Sequence, residues 1–379
     1  MRQIEKRRAI LSIIFLQIGI AGFSQTYKKG FDFPDAGIYK VLKCDFHTHT
    51  VFSDGEMWPT LRVMEAAGED IDAIAITDHI EYRPHLDDFK TTDHNRSYEL
   101  AEKRQNVANV LVIHGTEITR EMPPGHLNAI FIDNANVFEG FVNKENSRDG
   151  KNIIETLEAA RVQNAYIFWN HPSFPGPNEI AELYPVHTTL FEKKLVDGIE
   201  VINGPKYEAE AFQWCLDYNL AILGTSDVHR ILAQDLIDRN MLHRTMTLVL
   251  AEERSEKSIR EALDDRRTIA IGNHMMYGRE EHVRQVFESS VKLRVIGNIE
   301  EGIFEFSNES GFPFTLVLTP LENVKRMPRS INLNAHSKAI ITLSSKSDKP
   351  LFYKGGSLEI QVTNIFTKPN NNLTYQFKF

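Results

Sequence analysis

Short apolar runs that end on polar, chemistry-bearing residues recur along the first two-thirds of the chain. Val41 to Phe46 reads as a buried strand ending on His47-Thr48-His49, and Asp72 to Thr77 as a second that delivers Asp78 and His79. Val110 to Ile113 leads to His114 and Glu117, and another strand begins at His126. Tyr166 to Trp169 leads to Asn170 and His171, Gly198 to Ile202 to Asn203, and Leu220 to Leu223 to Asp227 and His229. Between them, Pro59 to Gly68, Lys151 to Gln163, Lys206 to Asp217 and Ser258 to Arg267 carry helical spacing, while Thr245 to Ala251 reads as an edge strand. Alternation of strand and helix over residues 41–270 predicts a parallel α/β architecture. In closed barrels of that kind, functional side chains gather at the C-terminal ends of the strands.

From about Val286 the period changes to two. Val291 to Val295, Gly302 to Phe306, Phe314 to Leu318, Ala339 to Leu343, Leu358 to Val362 and Leu373 to Phe379 alternate, with turn-rich pieces between them. That texture predicts a small antiparallel β-sandwich. A chain of 379 residues exceeds one average domain. The expected division is a barrel over 25–284 and a sandwich over 285–379.

The start of the chain carries Arg2, Lys6, Arg7 and Arg8, an apolar run from Ala9 to Ile20, then Gly22 and Ser24. This is the order of a secretory signal, with cleavage expected after Ser24, so that 1–24 is removed and the protein is exported, periplasmic or secreted. The apolar run is short for a membrane span of about 20 residues. No span is therefore expected after cleavage. A formal charge of −9 leaves no excess of Lys and Arg to neutralise a long polyanion, so no long nucleic acid is expected as a partner. Cys44 and Cys215, the two cysteines, read as small buried apolar residues.

The strand ends collect nine metal-type donors: His47, His49, Asp54, His79, Glu117, His126, His171, Asp227 and His229. Six imidazoles and three carboxylates exceed what one tetrahedral ion takes, and they suit two or three divalent ions with Glu117 as a bridge. Such a pocket is net positive, attracts a phosphate and stabilises the charge that builds up on it. Phosphoester hydrolysis is the chemistry it favours. Asp45 is expected to orient a ligand histidine, and His114 to be a packed residue.

Asp45-Phe46-His47-Thr48-His49 with Ser53-Asp54-Gly55, then Thr77-Asp78-His79, Gly115-Thr116-Glu117, Gly125-His126-Leu127-Asn128, Asn170-His171-Pro172 and Thr225-Ser226-Asp227-Val228-His229, resembles in this order the PHP (polymerase and histidinol phosphatase) superfamily. The resemblance covers roughly residues 41–273. It implies a distorted seven-stranded (β/α)7 barrel and a trinuclear Mn, Zn or Fe site. His47, His49, Glu117 and Asp227 would hold one ion, Glu117, His126 and His171 a second, and Asp54, His79 and His229 a third. A hydroxide bridging two ions would attack phosphorus in line.

Beyond the ligands Asp54 and Asp227, the expected catalytic set includes Arg120 for phosphate contact and His85, or His94, for leaving-group protonation. Arg83, Arg96, Asn203, Lys206 and Arg230 are lesser phosphate candidates. The segment from Glu81 to Tyr98 reads as an insertion beside the site. The exported form with a sandwich resembles the phosphodiesterase branch. The alternatives are a phosphatase of small monoesters and a non-catalytic surface-binding protein.

Overall fold

The computed structural model describes residues 30–379 except 144, 177, 178, 348 and 354, so the expected export signal lies outside the described residues. Strands β1 (Lys40–Asp45), β2 (Ala73–Ile76) and β3 (Leu111–Ile118) pair in parallel. The direction then reverses: β4 (Leu127–Ile130) is antiparallel to β3, and β5 (Tyr166–Trp169) is antiparallel to β4. Next come β6 (Gly198–Asn203), with a short hairpin partner β7 (Lys206–Tyr207), and β8 (Ala221–Thr225), parallel to β6. On the other side of β1 lie β9 (Met246–Ala251), β10 (Thr268–Gly272) and β11 (Met275–Gly278), each antiparallel to the one before it and β9 antiparallel to β1.

The ring closes between β8 and β9–β10 through threonine hydroxyls. Thr247 Oγ1 accepts from Gly224 N at 3.0 Å and donates to Gly224 O at 2.8 Å, and Ile222 N donates to Thr268 Oγ1 at 3.2 Å. Gly224 permits this approach, since a Cβ there would stand 2.7 Å from Met246 O.

Two expectations need correction. The sheet is mixed rather than parallel, because the link from β3 to β4 carries no helix and is too short for a parallel crossover of about a dozen residues. The segment read as an edge strand, now β9, is central, because β10 covers its free side.

Burial explains why these runs form strands. Leu42, Cys44, Phe46, Ala73, Phe168 and Val249 pack into one buried cluster. Each large member contributes about 1.5–3 kcal/mol by leaving water. Cys44 and Cys215 are buried free thiols, as expected.

The C-terminal part forms two layers. One is β12 (Val291–Val295), β13 (Ile303–Asn308) and later β17 (Lys338–Thr342). The other contains β14 (Phe314–Leu318), β16 (Ser330–Leu333), β19 (Ser357–Lys368) and β20 (Asn371–Lys378), while β15 (Val324–Arg326) pairs with β18 (Ser344–Ser345). Strand β19 does more than the pattern predicted. Its register breaks between Val362 and Phe366, and past the break it pairs in parallel with β11, Met276 opposite Ile365 and Tyr277 opposite Phe366. The barrel sheet therefore runs into the sandwich, fastened by the stacked Tyr277 and Phe366 rings (5.2 Å) and by Asn364 Nδ2 donating to His274 O at 3.0 Å. Among the described residues no helix is long and apolar enough to cross a membrane.

Candidate metal centre

Each donor reaches one rim of the barrel by a local device. His47 and His49 follow β1, His79 follows β2, Glu117 lies inside β3, His171 follows β5, and Asp227 and His229 follow β8. His126 precedes β4, and because β4 runs antiparallel its N-terminal end lies on the same rim. Backbone bonds tie the strand ends together: Asp227 N donates to His47 O at 3.0 Å, His49 N to Val228 O at 3.1 Å, and Asn170 N to His126 O at 3.0 Å. His171 and Asp227 hold φ of 26° and 51°. Left-handed conformations of this kind cost of order 1–3 kcal/mol and persist where the surroundings enforce them, often at functional sites.

The donor atoms converge. His47 Nε2 and His49 Nε2 are 3.0 Å apart, and each lies 3.2 Å from Glu117 Oε2 and 3.2 Å from Asp227 Oδ1. On the other oxygen of Glu117, Oε1 lies 2.7 Å from His126 Nδ1 and 3.7 Å from His171 Nε2. Asp54 Oδ1 meets His229 Nε2 at 3.2 Å and His79 Nε2 at 3.4 Å. All nine expected donors thus fall into overlapping groups whose ligand atoms lie within 4.8 Å of one another. Donors around a single ion at bond lengths near 2.1 Å stand about 3–3.5 Å apart, so these separations suit shared cations.

Two further observations fit a metal. Asp54 Oδ1 and His126 Nδ1 are buried and make no well-directed hydrogen bond despite the charged atoms beside them, an arrangement that is costly unless a cation completes it. The other imidazoles are bonded through Nδ1, which leaves Nε2 free. His47 Nδ1 pairs with Glu200 Oε1 at 2.7 Å, His79 Nδ1 with Thr119 Oγ1 at 2.6 Å and His49 Nδ1 with Ser53 Oγ at 3.2 Å. His171 Nδ1 donates to Phe174 O at 3.1 Å, and His229 Nδ1 to Asp227 O at 2.9 Å. Metal-ligating histidines are oriented in this way.

The electrostatics agree. Burial works to raise the Glu117 carboxyl, but His79, His126 and His47 outweigh it and hold it well below the carboxylate range. Asp227 is held down likewise, burial being overcome by His47, His49 and His229. In return His47, His49, His79 and His171 rise: burial opposes protonation of His171, yet Glu117 and Asp227 push it to about 9. Burial prevails at His126, which is pushed down to about 4.

A layer of residues that sequence reasoning missed supports the donors. Glu200 is fully buried and accepts from His47 Nδ1, His171 N (2.7 Å), Thr225 Oγ1 (2.6 Å) and Asn203 Nδ2 (2.9 Å). A charged residue in the apolar run Gly198 to Ile202 was its available signal. Asp78 accepts from Thr50 N and Oγ1, both at 2.7 Å, and from Ser53 Oγ at 2.6 Å, which shapes the turn carrying Asp54. Asn170 Nδ2 donates to Glu117 Oε1 at 3.2 Å. Beneath the site, buried Arg62 donates to His49 O and His229 O, and buried Arg244 to Asp45, Glu65 and Glu69.

Several expected roles change. Asp45 bonds Ser226 N, Ser226 Oγ and Arg244 rather than a histidine ring, so it orients the loop that carries Asp227. Arg120 is fully buried and ion-paired with Glu81, which removes it from phosphate contact. The cause is strand parity: Glu117 and Thr119 share the site face, and a residue three steps from Glu117 points the other way. His85 lies outside the donor groups, its ring against Phe89. His94 is the histidine of the insertion that lines a small cavity with Asp78 and His79, and burial together with Arg83 pushes it down to about 4.

Arg83 donates to the carbonyls of Phe52, Thr91 and Thr92, Arg96 pairs with Glu99, Lys206 bonds Glu179 O, and Arg230 pairs with Asp235 and Asp238. Asn203 is engaged by Glu200. His114 is packed as expected, stacked on Tyr98 at 4.1 Å.

The comparisons with known proteins follow this division. Residues 292–378 match the family DUF5001, described as an Ig-like domain. An uncharacterised protein of Methanocaldococcus jannaschii is 37% identical over 202 residues, covering 52% of this chain and 85% of its own. A crystal structure from Bacteroides vulgatus, described as a two-domain protein containing a predicted PHP-like metal-dependent phosphoesterase, is 38% identical. It superposes with a TM-score of 0.83 over 93% of this chain and 98% of that one. With that likeness running through both the barrel and the appended sandwich, the chain belongs to the two-domain PHP-like metal-dependent phosphoesterases.

Proposed function

We propose that the protein is an exported phosphodiesterase that works with two or three divalent ions, Mn, Zn or Fe, on small phosphoesters. The observation that carries the reading is the sharing of Glu117 between two donor groups. Glu117 Oε2 faces Nε2 of His47 and His49, while Oε1 faces His126 Nδ1 and His171 Nε2, and Asp227 Oδ1 stands beside the same two Nε2 atoms of His47 and His49. A carboxylate that offers one oxygen to each of two groups suits adjacent ions. His47, His49, Glu117 and Asp227 would hold one ion, Glu117, His126 and His171 a second, and Asp54, His79 and His229 a third. Divalent ions held there supply Lewis-acid charge to the phosphoryl oxygens and lower the pKa of water at the site.

The chain's own part is positional. Glu200 fixes His47 and the backbone of His171, Thr119 fixes His79, and Asp78 and Ser53 fix the turn of Asp54. Burial and Arg83 push His94 down to about 4, which favours its neutral form near pH 7 and works against a role as leaving-group acid. The preference for diesters rests on the resemblance to the sandwich-bearing phosphodiesterase branch, and export rests on the basic, apolar and small-residue order of 1–24.

The test compares initial rates of manganese-loaded protein on bis(p-nitrophenyl) phosphate and p-nitrophenyl phosphate, with and without chelator. A faster, chelator-sensitive diester rate is expected. A faster monoester rate moves the protein to the monoester phosphatases, and no rate on either with metal bound defeats the hydrolase reading. Export is checked by N-terminal sequencing of the mature protein, expected to begin at Gln25. An intact Met1 on cytoplasmic protein would sink it.

A further inference from the structure

Two exposed aromatic rings stand beside the donor cluster, next to His79 and His126, whose own rings lie 6.0 Å apart. Tyr82 is 41% exposed, and its ring centroid lies 6.1 Å from that of His79. Phe174 is 55% exposed, with its ring 5.6 Å from His171 and 5.9 Å from His126. A single exposed aromatic needs no explanation, but two rings in contact with the donors of one polar pocket are not accounted for by packing.

Both rings are held in place. Phe174 N donates to His171 O at 2.8 Å while His171 Nδ1 donates to Phe174 O, so the ring is hinged to a candidate ligand. The Arg148 guanidinium lies over Tyr82, its Cζ 4.8 Å from the ring centroid. The loop of Arg148 is fastened by Glu121 N donating to Arg148 O at 2.8 Å and by Arg148 N donating to Asn146 Oδ1 at 3.2 Å. Arg83, beside Tyr82, is anchored on three carbonyls. Among the described residues the Arg148 guanidinium has no ion pair or hydrogen bond, whereas Arg83, Arg96, Arg120 and Arg230 are all engaged. Its charge stays available at the rim of an otherwise acidic protein.

We propose that Tyr82 and Phe174 form the subsite for the ester's alcohol group and select phosphoesters in which that group carries a planar ring. Arg148 holds Tyr82 face-on and adds positive charge for the ester's anionic oxygens. The inference rests on the hydrolase reading above and names the substrate class of that site. A planar ring next to a phosphoryl group is supplied by an aryl ester or by a nucleoside, and the experiment separates the two.

Dissociation constants of methylphosphonate, phenylphosphonate and a thymidine phosphonate are measured by calorimetry on the manganese-loaded full chain. At least one ring-bearing phosphonate is expected to bind about 5- to 150-fold more tightly than methylphosphonate, the range that stacking on an aromatic side chain supplies. The better of the two identifies the ring's source. The preference should shrink to about twofold or less in Phe174→Leu or Tyr82→Leu, each at an exposed position on its own loop.

Equal binding of all three phosphonates, or a ring preference that survives both substitutions, overturns the inference. Turnover of bis(p-nitrophenyl) phosphate is read on the same samples. Turnover without a ring preference overturns the subsite alone, and absence of turnover with metal bound overturns the hydrolase reading and the subsite with it.

Discussion

Replacing Glu200 by Gln tests whether the buried layer sets the metal centre. Glu200 is fully buried and accepts four hydrogen bonds, from His47 Nδ1 and Thr225 Oγ1 on Oε1 and from His171 N and Asn203 Nδ2 on Oε2. A glutamine keeps the shape but turns one oxygen into a donor. On the Oε2 side that donor would face the His171 N–H, which cannot accept, at about 1–3 kcal/mol for the buried unsatisfied pair. On the Oε1 side Thr225 can rotate and His47 can change tautomer, so the amide nitrogen settles there.

His47 then accepts at Nδ1 and carries its proton on Nε2, the atom 3.2 Å from Glu117 and Asp227. That proton occupies the lone pair a metal needs. Loss of an outer-shell partner typically lowers metal affinity about 10- to 100-fold, or about 1.4–2.8 kcal/mol. Competition with a chromogenic chelator reads the affinity, and turnover at limiting and saturating manganese separates lost metal from lost chemistry. Glu200→Gln with wild-type manganese affinity and unchanged turnover at limiting metal would refute the reasoning.

Three further outcomes follow from the same geometry. His171 sits at about 9 without a cation, so below that pH a bound metal displaces its proton. Affinity should rise with pH by about tenfold per unit for each displaced proton and level off near 9, and a pH-independent binding constant would contradict this. Arg120→Met leaves Glu81 buried and unpaired and should cost about 3–5 kcal/mol in urea unfolding while KM is unchanged. Adding Glu81→Gln should recover much of that stability, and a raised KM in the single variant would return Arg120 to the substrate.

The third outcome concerns His187, which accepts from Tyr184 N at Nδ1, donates from Nε2 to Pro124 O, and is pushed by burial from 6.5 to about 4. The unfolded chain therefore takes up the proton first. This contribution is complete above pH 6.5 and is lost as pH falls toward 4, by up to about 3 kcal/mol. His187→Gln should flatten that slope in pH-dependent denaturation, and an unchanged slope would exclude the assignment.

Much of the site was readable before any coordinates because its donors are local to their strands. Apolar runs of strand length ended on His47, His79, His171 and Asp227, and a barrel brings such ends to one rim. Arg120 was misjudged although the information was present. Nearness in sequence to Glu117 was weighed above the two-residue period of the strand, which turns residue 120 away from the centre.

Other features had no local signature. The Asp45–Arg244 pair joins residues 199 positions apart, and Glu200 reaches His47 across 153. The break of register in β19 that knits the sandwich to β11 was likewise invisible to a period-two pattern.

By itself, then, the sequence determined the α/β barrel, the β-sandwich after it and the nine candidate side chains that the structure gathers at one rim, because hydrophobic period and residue chemistry act over a few neighbouring positions. Only the tertiary structure decided the antiparallel turn of β3–β4–β5 and which residues bond Nδ1 of His47, His49, His79, His171 and His229. Those depend on buried charges finding partners far along the chain, and in a low-dielectric interior such partners are compulsory without being local.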